Sequence, residues 1–202
     1  HPFISTNSGN TWRTVTKSPE AEVLKPSELA MSADGAKIFT VFFSTNVSTS
    51  IFKSSDYGNS WIQTGFPSTS IFSNSPVACS ADGSIVVAAP GIGPIYYSSN
   101  GGASCLRSSV PEARWESIAS SSDGGRMVAA PNNGSIYFSS DLGATWTPTN
   151  LPVQSWNSVC ISSDGKWIGA ASGTDSYISG DSGVTWQTNH MRSNIVCSAT
   201  GT

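Results

Sequence analysis

Thirteen acidic side chains are spread over 202 residues, and seven of them, Asp34, Asp56, Asp82, Asp123, Asp141, Asp164 and Asp181, stand in Gly-containing turn sequences. Six are left for other work: Glu20, Glu22, Glu28, Glu112, Glu116 and Asp175. Hydrolysis of a glycosidic bond needs two carboxyl groups, one as acid and one as base or nucleophile. If the chain is an enzyme, a glycoside hydrolase or polysaccharide lyase, that pair is Glu116, beside Trp115, with Asp175 on a neighbouring loop. Sugar binding without turnover asks for less: an indole face to stack on a pyranose and polar groups for its hydroxyls. Trp115, Trp156, Asn74 and Arg192 form the expected ligand-binding set, against the plainer reading of the tryptophans as packing.

Other chemistry is thinner. The sequence holds no Cys-x-x-Cys, no phosphate loop and no nucleophile elbow, and its only histidines are His1 and His190. No metal site and no cofactor are expected. Ten basic residues against 13 acidic ones leave a net charge of −3, with only 11% of residues charged. A nucleic-acid groove or an anionic membrane surface would need clustered Lys and Arg. No apolar run approaches the roughly 18 to 20 residues of a membrane span. A chain poor in Lys and Glu and rich in Ser, Thr, Gly and Trp reads as secreted, and Asn46-Val-Ser48 and Asn133-Gly-Ser135 are sequons for N-glycosylation. The chain opens at His1, as a processed mature chain or a fragment would.

What must position these residues is a repeat. Ser5-Thr-Asn7-Ser-Gly9-Asn-Thr-Trp12 returns from Ser54 to Trp61, Ser98 to Cys105, Ser139 to Trp146 and Ser179 to Trp186. Alternating with it is Ser32-Ala-Asp34-Gly35, which returns from Ser80, Ser121 and Ser162 and, in degenerate form, as Ser198-Ala-Thr200-Gly201. A short Asp or Asn side chain accepts backbone N–H bonds inside a turn while Gly supplies a left-handed φ, so both units read as hairpin turns. Short β-type runs flank them, and no helix is apparent. The unit is a four-stranded antiparallel meander of about 40 residues, the size of a propeller blade.

Ser-x-Asp-x-Gly-x-Thr-Trp resembles the Asp-box, or BNR repeat, of sialidase-like β-propellers, over nearly the whole chain. Five boxes imply five blades in one all-β domain spanning residues 1–202. Box three departs from the pattern at Asn100 and Cys105, and box one at Asn7, which implies weaker or modified turns there. Sialidases of this family carry an Arg-Ile-Pro segment and three arginines that grip a carboxylate. Here no Arg-x-Pro segment occurs, and Arg13 and Arg126 lie next to turns, so the chain resembles a non-sialidase member.

The ends of the chain imply how the ring closes. It opens with a third strand and closes with a first strand, so the N- and C-terminal strands should share one blade. The second strand of that blade is not found in the sequence as given, so either the blade has three strands or the sequence is shortened. Strand alternation then lets Cys160 and Cys197 face each other across the seam as a disulfide, with Cys79 and Cys105 free. Pro26, Asn74, Trp115, Trp156 and Arg192 should ring one mouth of the channel, and both sequons fall on the same rim. The resulting expectation is a monomeric, secreted, lectin-like binding module for a glycan. The alternatives are the enzyme above and a scaffold for a protein ligand.

Overall fold

The computed structural model describes residues 3–5, 9–14, 25–43, 49–68, 75–89, 91–190 and 194–198. Asn46, Asn74 and Arg192 lie outside them.

The repeated turns set the architecture. In the box at Asp56, the Ser54 hydroxyl donates to Asp56 Oδ1 (2.8 Å) and accepts from Gly58 N (2.8 Å). Asp56 Oδ1 also accepts from the backbone of Asn59 and Ser60, while Ser60 Oγ donates to Oδ2 at 2.6 Å. One carboxylate therefore satisfies the inside of the turn. Thr145 and Thr185 close the boxes at Asp141 and Asp181 in the same way, each at 2.6 Å. In box three the amide of Asn100 reverses one bond: its Nδ2 donates to Ser104 Oγ at 2.8 Å, and the turn is otherwise retained. The alternating turns use a tighter version, in which Ser32, Ser80, Ser121 and Ser162 each donate to the Asp two residues on at 2.6 Å.

These turns join short strands into antiparallel sheets, with no helix among the described residues. β1 (Phe3–Ile4) pairs with β2 (Arg13–Thr14). The first full meander is β3 (Lys25–Met31), β4 (Ile38–Phe43), β5 (Thr49–Ser54) and β6 (Ile62–Gln63). The second contains β7 (Val77–Cys79), β8 (Val86–Ala88), β10 (Tyr96–Ser98) and β11 (Leu106–Arg107), with β9 (Ile92–Gly93) lying between β8 and β10 in sequence. The third is β12 (Ala113–Ser120), β13 (Met127–Pro131), β14 (Tyr137–Ser139) and β15 (Thr147–Pro148). The fourth is β16 (Trp156–Ile161), β17 (Ile168–Ser172), β18 (Ser176–Ser179) and β19 (Gln187–Asn189).

The meanders pack face to face, and the core is the set of layers between them. Phe39 of the first and Val77 of the second share one buried cluster, Val87 and Ile118 the next, and Val128 and Val159 the third. A backbone ladder ties the inner turns together, from Ala33 N to Ala81 O (2.7 Å), Ala81 N to Ser122 O (2.8 Å) and Ser122 N to Ser163 O (2.9 Å). One pairing is absent from the sequence reading: β9, in the connection between second and third strands, leaves its own meander and pairs with β12 of the next.

Of the expected fifth blade, the described residues supply β1, β2 and the segment 194–198, which makes no ladder pairing among them. That segment is nevertheless anchored. Ile195 N donates to Ser158 Oγ at 3.0 Å, Ile195 packs over Gly169, and Cys197 forms the expected disulfide with Cys160, their Cα atoms 5.4 Å apart. Cys79 and Cys105 are free thiols. No helix of the described residues is long and apolar enough to cross a membrane.

Candidate functional site

Trp115 and Trp156 are not at an open mouth. They are 0% and 1% exposed. The inner strands run further than the turn spacing implies, and in each a bulge between the Trp and the residue two places on shifts the register. The indoles lie in the layers between meanders, where Trp115 makes an edge contact with Tyr137 and Trp156 with Tyr177. Their N–H groups are satisfied by the carbonyls of Gly93 and Gly134, both at 3.0 Å. Gly93 and Gly134 hold φ of 151° and 137°, a backbone that side chains disfavour, and this orients those carbonyls. The expectation of exposed stacking platforms is thus corrected: a buried indole with its one donor used offers a sugar no face.

The carboxylates also sort differently. Asp175 holds His190 Nδ1 at 2.7 Å and accepts from Thr174 at 2.9 Å, and these bonds lower its pKa, the His190 bond most. Glu116 lies 3.7 Å from the Arg114 guanidinium. Its charge is felt by Glu28 on β3, whose pKa is raised by burial first and by Glu116 second. Glu112 is engaged by Arg107 at 2.7 Å on the surface. Among the described residues no cluster of His, Cys, Asp and Glu could hold a metal ion. Asn133 is exposed in the connection between β13 and β14, one residue before the Gly134 that receives Trp156.

An apolar concave surface lies elsewhere among the described residues. A groove of about 500 Å³ runs between β1 and β3, lined by Phe3, Trp12, Leu29, Met31, Ile38 and Tyr57. Phe3 and Trp12 are each 63% exposed, Met31 54% and Leu29 50%. The edges of the groove are held in place: Ile4 packs on Gly58 and the Ile38–Trp61 cluster, and Arg13 donates to Tyr57 O at 2.7 Å. None of the residues that line it is among the expected ligand contacts.

No protein-family model matches the sequence, and no curated protein is similar to it in sequence. Solved structures do share its fold. A GH74 enzyme of Niastella koreensis superposes with a TM-score of 0.64 at 17% identity, covering 81% of this chain and 30% of the enzyme. A nidogen–laminin complex contains a chain similar to this one with a TM-score of 0.63 at 12% identity, covering 85% of this chain and 68% of its own. YCF48 bound to a D1 peptide gives 0.54 at 14% identity, covering 90% and 72%. The chain therefore spans less than a third of the GH74 enzyme it resembles. All three are β-propeller proteins, and at these identities the likeness establishes a propeller-type fold and nothing of the chemistry.

Proposed function

We propose that this chain is a secreted five-bladed β-propeller that binds a protein ligand, with the groove between β1 and β3 as the contact surface. In this reading the N- and C-terminal segments share the fifth blade, and the ring acts as a monomeric module. The observation that carries it is the grouping of Phe3, Trp12, Leu29 and Met31, all exposed, in one concave apolar patch. Apolar patches rimmed by polar surface mark interaction sites, and aromatic residues and Met are enriched where proteins meet. Two of the similar folds, in the laminin complex and the D1 peptide complex, were solved with protein or peptide partners. The Cys160–Cys197 disulfide suits an oxidising compartment, and exposed Asn133 suits glycosylation there.

A carbohydrate reading, as lectin or glycosidase, is the second one. It is favoured by the likeness to GH74 enzymes and by Glu28, whose pKa is raised by burial first and by the charge of Glu116 second. The test is a parallel screen of the purified chain on a peptide display library and a glycan array, with turnover assays on the same sugars. Selective peptide ligands are expected. Selective glycan binding with no peptide ligand would replace this reading by the lectin one, and turnover lost in Glu116→Gln would replace it by the enzyme.

A further inference from the structure

Box three, between β10 and β11 of the second meander, carries an amide where the boxes at Asp56, Asp141 and Asp181 carry a carboxylate, and the residue after that amide is glycine. Asn100-Gly101 is thus an Asn-Gly pair, and the sequence holds one other, Asn133-Gly134. Such pairs are the asparagines most prone to lose ammonia, because a residue without Cβ leaves its backbone nitrogen open to the carbonyl carbon of the preceding side chain. Packing keeps the glycine in place. In the other three boxes the same left-handed position is held by Tyr57, Leu142 and Ser182, with φ of 58°, 63° and 60° against 63° at Gly101. A Cβ at 101, however, would lie 3.2 Å from Gly83 O and 3.4 Å from Lys53 Nζ.

Asn100 is exposed, so hydrogen bonds rather than burial protect it. Its Oδ1 accepts from Ser98 Oγ at 2.9 Å and from Ser104 N at 3.0 Å, and its Nδ2 donates to Ser104 Oγ at 2.8 Å. The attacking atom is held as well, since Gly101 N donates to Ser84 O at 2.7 Å. Attack needs that N–H ionised and turned toward Asn100 Cγ, so these bonds must break first. An aspartate, by contrast, fits the closed turn. Ser60, Thr145 and Thr185 each donate a hydroxyl to Oδ2 of their box Asp at 2.6 Å. Rotation of the Ser104 hydroxyl gives the same bond to a carboxylate at position 100, and Lys53 Nζ, on Gly101 O at 3.0 Å, supplies a cation beside the new charge.

We propose that Asn100 is a modification site: it deamidates when the second meander opens, and refolding retains the aspartate product, which closes box three as the boxes at Asp56, Asp141 and Asp181 are closed. The chemistry needs only water. Gly101 N loses its proton and attacks Asn100 Cγ; the Cγ–Nδ2 bond breaks, ammonia leaves, and a succinimide joins the two residues. Water then opens the ring. Cleavage between Gly101 N and Cγ gives aspartate, whereas cleavage between Gly101 N and the backbone carbonyl carbon gives isoaspartate. Isoaspartate moves a methylene from the side chain into the main chain, so its carboxylate no longer reaches both Ser104 N and Ser104 Oγ. The fold therefore distinguishes the two products.

The test incubates the unglycosylated chain, disulfide intact, at pH 8 in buffer and in urea above its unfolding midpoint, and follows the peptide around residue 100 by mass and by separation of its two acidic isomers. In urea Asn100 should gain one mass unit at a rate close to that of Asn133, whereas in buffer it should do so roughly tenfold or more slowly. When the urea-treated sample is refolded, aspartate should concentrate in the protease-resistant fraction and isoaspartate in the remainder. The Asn100→Asp protein should melt a few degrees higher than the parent at pH 7. That gain should be lost as pH falls from about 4 toward 2, as at Asp56, whose carboxyl is held at about 2 by the same hydroxyl and amide bonds. Equal rates in buffer and urea, or no mass gain at Asn100 in urea, would overturn the proposal. A lower melting temperature for Asn100→Asp, or isoaspartate kept equally in the folded fraction, would overturn it too.

Discussion

The indole N–H of Trp156 donates to the carbonyl of Gly134 at 3.0 Å, and Trp115 repeats the bond to Gly93 at the same distance, each across 22 residues of sequence. A first strand of one meander is thereby fastened to a connection of the one before it. Replacing Trp156 by Ala removes a fully buried side chain and leaves the Gly134 carbonyl without this donor. The expected cost is about 3 to 5 kcal/mol, read as a lower denaturant midpoint. Ligand binding at the β1–β3 groove should survive in the fraction that remains folded.

The Cys160–Cys197 bond closes a loop with a sequence separation of 37 and ties segment 194–198 to β16. Its reduction should cost about 2 to 4 kcal/mol, seen as a drop in melting temperature on adding a reductant. In the oxidised native protein alkylation should be slow at both free thiols. Burial pushes the Cys79 thiol up to about 11, helped by the charge of Asp82, and burial also raises Cys105, whose Sγ contacts Gly65 O at 3.2 Å. Peptide mapping without reduction should recover the crosslink and only two alkylatable cysteines.

The turn carboxylates make stability sensitive to acid. Hydrogen bonds from serine or threonine hydroxyls and from backbone amides hold Asp56, Asp82 and Asp181 at about 2, against an ordinary value of 3.8. The native state keeps these groups charged where the unfolded chain protonates them, so their stabilising contribution is complete above 3.8 and lost as pH falls toward 2. The urea midpoint should be flat from pH 7 to about 4 and then decline. Asp56→Asn should lower the plateau and make the decline shallower.

Glu28 behaves in the opposite sense. Burial and the neighbouring Glu116 raise its pKa above the ordinary 4.5, so the charged form is the one the fold disfavours. Its cost is absent below 4.5 and grows as pH rises through the raised value. Glu28→Gln should therefore raise the melting temperature at pH 7, with the gain vanishing below about pH 4. If Glu28 serves catalysis instead, the same variant would lose turnover of a sugar substrate.

The amino-acid sequence by itself determined what is local and repeated. A Ser two residues before an Asp, with a Gly and a Ser or Thr following, closes its own turn, so the boxes at Asp56, Asp141 and Asp181 were readable residue by residue, and so was the antiparallel meander they connect. Even the Cys160–Cys197 pairing followed from strand alternation and repeat register. What only the tertiary structure decided lies between the meanders. Strand β12 extends past Trp115, and a bulge turns that indole into the layer. No local rule encodes this, because the partner carbonyl belongs to Gly93, a connection of another meander. Leu29 shows the same limit. Its type and register match Val77, Ile118 and Val159, yet it is half-exposed, because burial at an interface is a property of the neighbour and here the described residues provide none.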